Sequence, residues 1–198
     1  TRAEIGLLAL ADLSRLTGAT CTTTLGQGAE ELLSERIFGP GGPALVVLRD
    51  GIETTASLPG GLVLMSRTLV EGEGGPEVVA GFALAEIERT RVADPMVPIL
   101  RHAGPVATFR LLTTGVLAPE ALQGYGEILL SARQVPVDEE ILLGRFSAAG
   151  IPSSPYAYAL DPTGESVLGL IEADHFRGVA TRPVLEDGDW ISLQAICG

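Results

Sequence analysis

The chain has 198 residues, and its apolar content of 46% excludes a disordered protein and supplies enough side chains for a buried core. The formal net charge is −12, so the chain lacks the basic surface that binding to nucleic acids or anionic membranes requires. All 13 basic residues are Arg, and the absence of Lys excludes Schiff-base chemistry and a phosphate-binding lysine loop.

Two helices are predicted near the N-terminus. Apolar residues recur at helical spacing over residues 5–16 and again over residues 29–38, where a run of Gly and Pro follows. Both helices are interpreted as a cover for the core. We therefore expect a single domain, with N-terminal helices in residues 1–43 and the main part of the fold in residues 44–198.

Three short strands are predicted over residues 44–48, 52–57 and 62–65. Asp50-Gly51 lies between the first two, and this dipeptide strongly favours a two-residue hairpin turn. Antiparallel pairing of consecutive strands is therefore expected. With the helices, these strands predict an α+β protein that is mostly helical and contains a small antiparallel sheet.

A longer helix is predicted over residues 76–91, beside this sheet. Pro76 suits its first turn, and the acidic Glu77 suits the positive end of the helix dipole. Apolar residues at spacings of three and four place Glu86 near the middle of the apolar face. A buried carboxylate requires a cationic or hydrogen-bonding partner, and Arg89, one turn further on, is the local candidate.

Residues 58–91 resemble the HtpX-like zinc endopeptidases, the gluzincin family that also contains the CAAX prenyl endopeptidases. The shared features are a strand that ends in Leu-Pro-Gly-Gly, a second apolar strand, a Ser-Arg-x-Leu turn and a helix that carries x-Glu-Ile-x-x. The resemblance implies a zincin-like fold. In active members, the helix carries His-Glu-x-x-His, whose two His bind Zn²⁺ and whose Glu is the general base.

The zinc ligands of the family are replaced in this chain. The resemblance places Ala85 and Arg89 at the two His positions, whereas the general base is retained as Glu86. Further along the chain it places Val137 at the third ligand, which is Glu in the family. Because Ala, Arg and Val are poor ligands for zinc, we expect no bound metal and no other cofactor.

Two later segments extend the resemblance to residues 56–197. Glu139 lies at the acid that supports the first helix in the family, and Arg182 replaces the His of a Thr-His-Pro fingerprint. The resemblance thus implies that Glu86 and Glu139 face each other across two helices. Our hypothesis is a salt-bridge cluster in which Arg89 and Arg182 substitute for the charge of zinc, because a guanidinium group matches carboxylates in charge and shape.

The expected function is that of a catalytically inactive, metal-free peptidase-like domain that binds an unidentified peptide or protein, or serves as a structural module. In active members an edge strand binds the substrate main chain by strand addition, so the edge strand here is a candidate for the same contact. The alternative is a hydrolase of altered, metal-independent chemistry with Glu86 as general base. An open cavity with a reachable Glu86 favours the enzyme, and a filled cleft with Glu86 held in a salt bridge favours the binding module.

The rest of the chain is predicted to be helical in short pieces. Residues 94–107 contain three prolines and are expected to form turns rather than one helix. Residues 167–183 are expected to form a long connection. Further helices are predicted over residues 119–132, from Pro136 through Phe146, over residues 152–160, and after Asp187 or Gly188.

The two cysteines, Cys21 and Cys197, lie near opposite ends of the chain, and this placement is consistent with a disulfide and with two separate buried thiols. No apolar run has the length of a membrane span. The chain begins at Thr1 without Met, which is consistent with removal of a signal peptide or anchor and with a cloning choice. A bacterial location in the cytoplasm and one in the periplasm both stay open.

Overall fold

The computed structural model describes all 198 residues and is 60% helical. The three strands are β1 (Ala44–Leu48), β2 (Thr55–Leu58) and β3 (Leu62–Ser66). The ten α-helices are α1 (Arg2–Thr17), α2 (Thr24–Phe38), α3 (Arg67–Glu71), α4 (Gly75–Val92), α5 (Met96–Thr114), α6 (Tyr125–Ser131), α7 (Glu139–Ala149), α8 (Ser154–Leu160), α9 (Leu168–Glu172) and α10 (Asp187–Gln194). The predicted α+β class with mainly helical content is confirmed.

The sheet is mixed rather than antiparallel, with the strand order β1-β3-β2. β3 pairs in parallel with β1 and antiparallel with β2, so the predicted hairpin between the first two strands is wrong. The central position belongs to β3 because its apolar residues are buried on both faces of the sheet, whereas the polar β2 suits an edge. The tight turn instead joins β2 to β3, where Gly60 and Gly61 adopt positive φ angles.

The sheet lies between two helical layers, and each of its faces buries a separate cluster of apolar side chains. Val47 and Val63 join the larger cluster, together with residues of α2, α4 and α7–α10. Leu48 and Leu64 join the smaller cluster, with residues of α1, α5 and α6. The two predicted N-terminal helices therefore cover opposite faces of the sheet.

Helix α4 is the most deeply buried helix of the larger layer. Its middle is formed by small and apolar residues, including Val79, Ala83 and Ala85, which have no exposed surface. Gly81 allows close contact with α8, because a Cβ atom at this position would lie 2.5 Å from the Cβ of Tyr156. The contact with α8 thus helps to hold α4 in the orientation in which Glu86 points towards β2.

Several predicted boundaries differ from the structure. Residues 94–107 do not form separate turns, since α5 runs through them and is interrupted only at Gly104, with φ of 80°. Pro98 is tolerated because it lies in the first turn, where main-chain N–H groups have no helical acceptor. Helix α7 begins at Glu139 rather than at Pro136, and the predicted long connection contains the short helix α9.

A disulfide joins Cys21, in the connection between α1 and α2, to Cys197, which follows α10, and both residues are buried. The N–H of Cys21 donates a hydrogen bond of 2.9 Å to the carbonyl of Val47 on β1. Of the two alternatives for the cysteines, the structure therefore contains the bonded one. None of its helices combines the length and the apolar content needed to cross a membrane.

Candidate functional site

A cleft lies between β2, the C-terminal half of α4, and α6. It has a volume of about 610 Å³, which is within the range of ligand-binding pockets. Most of its wall comes from the segment before and along β2, from the last turns of α4 and from the α6–α7 connection, residues 132–138. Both Glu86 and Arg89 line it.

Glu86 is held in place at the floor of this cleft. Its side chain projects from α4 under β2, and the residue is only 5% exposed. Its Oε2 atom accepts hydrogen bonds from the hydroxyl of Thr55 and from Nη1 of Arg89, both at 3.0 Å. These two bonds offset the cost of burying the carboxylate. The other oxygen, Oε1, accepts no hydrogen bond within the chain.

Arg89 connects Glu86 to the opposite wall of the cleft. Its Nε donates a hydrogen bond of 3.1 Å to the carbonyl of Val135 in the α6–α7 connection. Burial raises the pKa of the nearby Tyr156, and the positive charge of Arg89 opposes this rise. One guanidinium therefore fixes a helix, an ion pair and a connecting segment relative to each other.

The predicted four-residue salt-bridge cluster is present only in part. Glu86 and Arg89 form an ion pair, with 3.0 Å between Nη1 and Oε2. Glu139 is exposed at the first turn of α7 and forms no ion pair. Its placement there is explained by the helix dipole, which favours a carboxylate without any further partner. Arg182 is also exposed, and its carbonyl accepts a hydrogen bond from Arg36, far from the cleft.

The three positions assigned to former zinc ligands do not form a set of donors. Ala85 is fully buried in the larger core cluster, and Val137 is half-buried against the same cluster. The side chain of Arg89 lies near the segment that carries Val137, because it donates a hydrogen bond to the carbonyl of Val135. No group of three His, Cys, Asp or Glu side chains in the chain is arranged to hold a metal ion.

The outer edge of β2 faces the cleft. The N–H of Ser66 on β3 donates a hydrogen bond to the carbonyl of Thr54. In an antiparallel ladder every second residue bonds to the neighbouring strand, so the main-chain groups of Thr55 and Ser57 point away from β3. At this edge Nε2 of Gln134 donates hydrogen bonds to the Thr55 carbonyl at 2.9 Å and to the Thr54 hydroxyl at 3.1 Å. The main-chain N–H and C=O of Ser57 have no partner.

Sequence reasoning identified Glu86 and Arg89 but missed three further residues of the cleft: Thr55, Tyr125 and Gln134. Thr55 supports the carboxylate from the strand, Gln134 covers part of the strand edge, and Tyr125 lines the wall formed by α6. No local pattern identifies the last two, because they are separated from β2 by about 70 residues or more and reach it only through the packing of α6.

A second buried carboxylate on α4 also escaped prediction. Glu88 is 4% exposed and forms ion pairs with Arg145 of α7, at 2.5 Å, and with Arg91, at 3.4 Å. Neither arginine lines the cleft. The ion pair between Glu88 and Arg145 therefore connects α4 to α7 outside the cleft.

The sequence matches no model of a known protein family and no curated protein sequence.

Proposed function

We propose that this chain is a peptidase-like domain of the HtpX-like type that has lost its metal site and binds an extended peptide in the cleft beside β2. The free polar edge of β2 is the observation that carries this proposal. An extended peptide placed there would bond to the main-chain groups of Thr55 and Ser57, as an added strand does in other complexes.

The shape of the cleft supports the same proposal. A smaller cavity of about 150 Å³ lies next to the first, towards the end of β2, and Ser57, Thr90 and Pro95 line both. The two cavities together follow the whole length of the strand. A ligand in this position can therefore contact several successive residues, which is typical of peptide recognition and less typical of a compact metabolite site.

The alternative is a metal-independent hydrolase in which Glu86 acts as a general base. In its favour, Oε1 of Glu86 accepts no hydrogen bond and the residue lines the cleft. Against it, Thr55 and Arg89 hold the carboxylate in a fixed pair, and the lining of the cleft contains no His or Cys to serve as nucleophile or second proton carrier. Binding without catalysis is therefore the better supported function.

Selection of a library of random linear peptides on the folded protein tests the proposal. We expect selected peptides to bind the wild-type chain, and Ser57→Pro to abolish binding, since proline removes the outward N–H and edge strands tolerate it. Gln134→Ala is expected to raise the affinity about fivefold, because it uncovers the Thr55 carbonyl, a gain equivalent to one hydrogen bond of about 1 kcal/mol. Gln123→Ala, at an exposed position outside the cleft, is the matched control.

Circular dichroism and cooperative thermal unfolding of the Ser57→Pro variant verify that its fold is intact. Peptides that bind equally well to wild type and to this variant would refute binding at the β2 edge. Metal analysis of protein purified without chelators gives a separate test. Stoichiometric zinc, together with peptide cleavage that is lost in Glu86→Gln, would overturn the proposal of an inactive domain.

A further inference from the structure

Tyr125 is the most unusual residue in the wall of the cleft. It is 1% exposed, and its ring is part of the smaller core cluster. Its hydroxyl group forms no hydrogen bond with any other residue, although Tyr125 lines the cavity. Burial without a partner raises the pKa of this hydroxyl to about 12. Its oxygen is not among the fully enclosed polar atoms of the chain, so the hydroxyl keeps contact with the cavity and is available to a ligand.

A second hydroxyl without a partner lies in the wall of the same cavity. Oγ of Ser57 is enclosed and is the one buried side-chain oxygen or nitrogen of the chain that has no hydrogen bond. This oxygen has no accessible surface, so it does not reach a ligand in the cavity. The hydroxyl of Tyr125, which can donate or accept a hydrogen bond, is therefore the anchor for a polar group of a ligand, such as a peptide carbonyl or amide.

The remaining wall has an apolar character. The apolar lining side chains come from four parts of the chain: Ile52, Ala56, Ala93, Pro95, Pro98, Leu129, Leu130, Ala132 and Val135. The charged groups of the lining cancel in pairs of opposite sign, since Glu86 is bonded to Arg89, and Glu53 and Arg133 contribute one charge each. Because the charges of the lining sum to zero and its apolar side chains come from several segments, the cavity favours an uncharged ligand with a large apolar part.

We infer that this cavity is the specificity site of the peptide cleft: it takes a large uncharged side chain of the bound peptide, and the hydroxyl group of Tyr125 bonds to the peptide group beside that side chain. The inference rests on the proposed function and adds the ligand class. The volume of about 610 Å³ holds a phenylalanine or leucine side chain together with its neighbouring peptide groups.

Capped amino acids test the inference directly. The probes are the N-acetyl methylamides of phenylalanine, leucine, glycine and aspartate, and the readout is the change in NMR chemical shift of the Leu129 and Leu130 methyl groups during titration. We expect the phenylalanine and leucine probes to bind at least about tenfold more tightly than the glycine and aspartate probes, because apolar burial contributes only to the former.

Replacement of Tyr125 separates a ligand contact from a structural role. Tyr125→Phe is expected to weaken binding of the phenylalanine probe about fivefold while the melting temperature stays unchanged, because the hydroxyl has no partner within the chain. Tyr158→Phe, at a residue that is 48% exposed and outside the cavity, is the matched control and should change neither quantity.

Equal binding of the glycine and phenylalanine probes, or unchanged affinity in Tyr125→Phe, would overturn the inference. If selected linear peptides nevertheless bind and Ser57→Pro abolishes that binding, the proposed function stands and only the specificity site is refuted. If no linear peptide binds at all, both fail.

Discussion

The two edges of the sheet are protected in different ways. At the β1 edge, the carbonyl of Val47 accepts a hydrogen bond from Cys21, and its N–H donates to the carboxylate of Glu30 at 3.1 Å. At the β2 edge, the one bonded main-chain group is the Thr55 carbonyl, and its donor is the flexible side chain of Gln134.

The difference shows which edge is built for stability and which is open to a ligand. A strand edge without partners is a liability that folded proteins usually cover. Here the β1 edge is covered by main chain that the disulfide holds, whereas the β2 edge is covered by one side chain from a connecting segment. Displacing Gln134 breaks its hydrogen bond to the Thr55 carbonyl, which costs on the order of 1 kcal/mol, and an N–H of the incoming strand replaces that bond. This difference supports the proposed binding of a peptide in the cleft beside β2.

Removal of the disulfide is expected to have the largest effect on this comparison. The bond joins residues separated by 176 positions, so Cys21→Ser with Cys197→Ser should lower the free energy of unfolding by about 4 kcal/mol, chiefly because the unfolded chain gains conformational entropy. Urea denaturation measures the loss. In hydrogen exchange, the amide at position 21 should lose protection, while the amide of Ser66, which bonds to β2, should retain it.

Wild-type protein under reducing conditions is the control for the double variant and should lose about the same stability. A loss below about 1 kcal/mol, with the amide at position 21 still protected, would show that the β1 edge does not depend on the disulfide.

Glu86→Ala tests the support of the other edge. The substitution leaves the guanidinium of Arg89 buried without its carboxylate and removes the acceptor of Thr55, so we expect a loss of about 3 kcal/mol. Glu88→Ala is the matched control on the same helix. Its partners Arg145 and Arg91 are 38% and 55% exposed, so solvent compensates them and a smaller loss is expected. A larger loss for Glu88→Ala than for Glu86→Ala would contradict this assignment.

Glu30 reports on the β1 edge through pH. Burial raises the pKa of its carboxyl group from the ordinary 4.5 to about 8. Between these values the folded chain keeps a proton that the unfolded chain has lost, so this group lowers the free energy of unfolding as pH rises from about 4.5 to 8. Glu30→Gln keeps an oxygen for the Val47 N–H and should remove this decline, with a gain of a few kcal/mol at pH 9, since one pKa unit corresponds to about 1.4 kcal/mol.

Urea denaturation of both forms at several pH values measures this difference. At pH 4 the two should be about equally stable, since the carboxyl group is then protonated in both the folded and the unfolded chain. A variant that is less stable than wild type at pH 9 would show that Glu30 is held there as a carboxylate.

Local patterns identified the central helix and its carboxylate. The spacing of apolar residues placed Glu86 on the buried face of α4, and its distance of one turn from Arg89 made the ion pair predictable, since residues three apart on a helix are neighbours. The resemblance to zinc peptidases contributed Glu139 and Arg182, and these two lie away from the cleft.

The sequence by itself determined the α+β class, the three strands, the buried helix and the ion pair that lies within one turn of it. All of these follow from periodicity, turn chemistry and short-range geometry, which depend on neighbouring residues. Only the tertiary structure decided the order of the strands, the open edge of β2 and the joining of Gln134 and Tyr125 to it. These features depend on contacts between segments that are distant in the sequence. Alternative strand pairings differ only slightly in free energy, and the pattern of neighbouring residues does not distinguish between them.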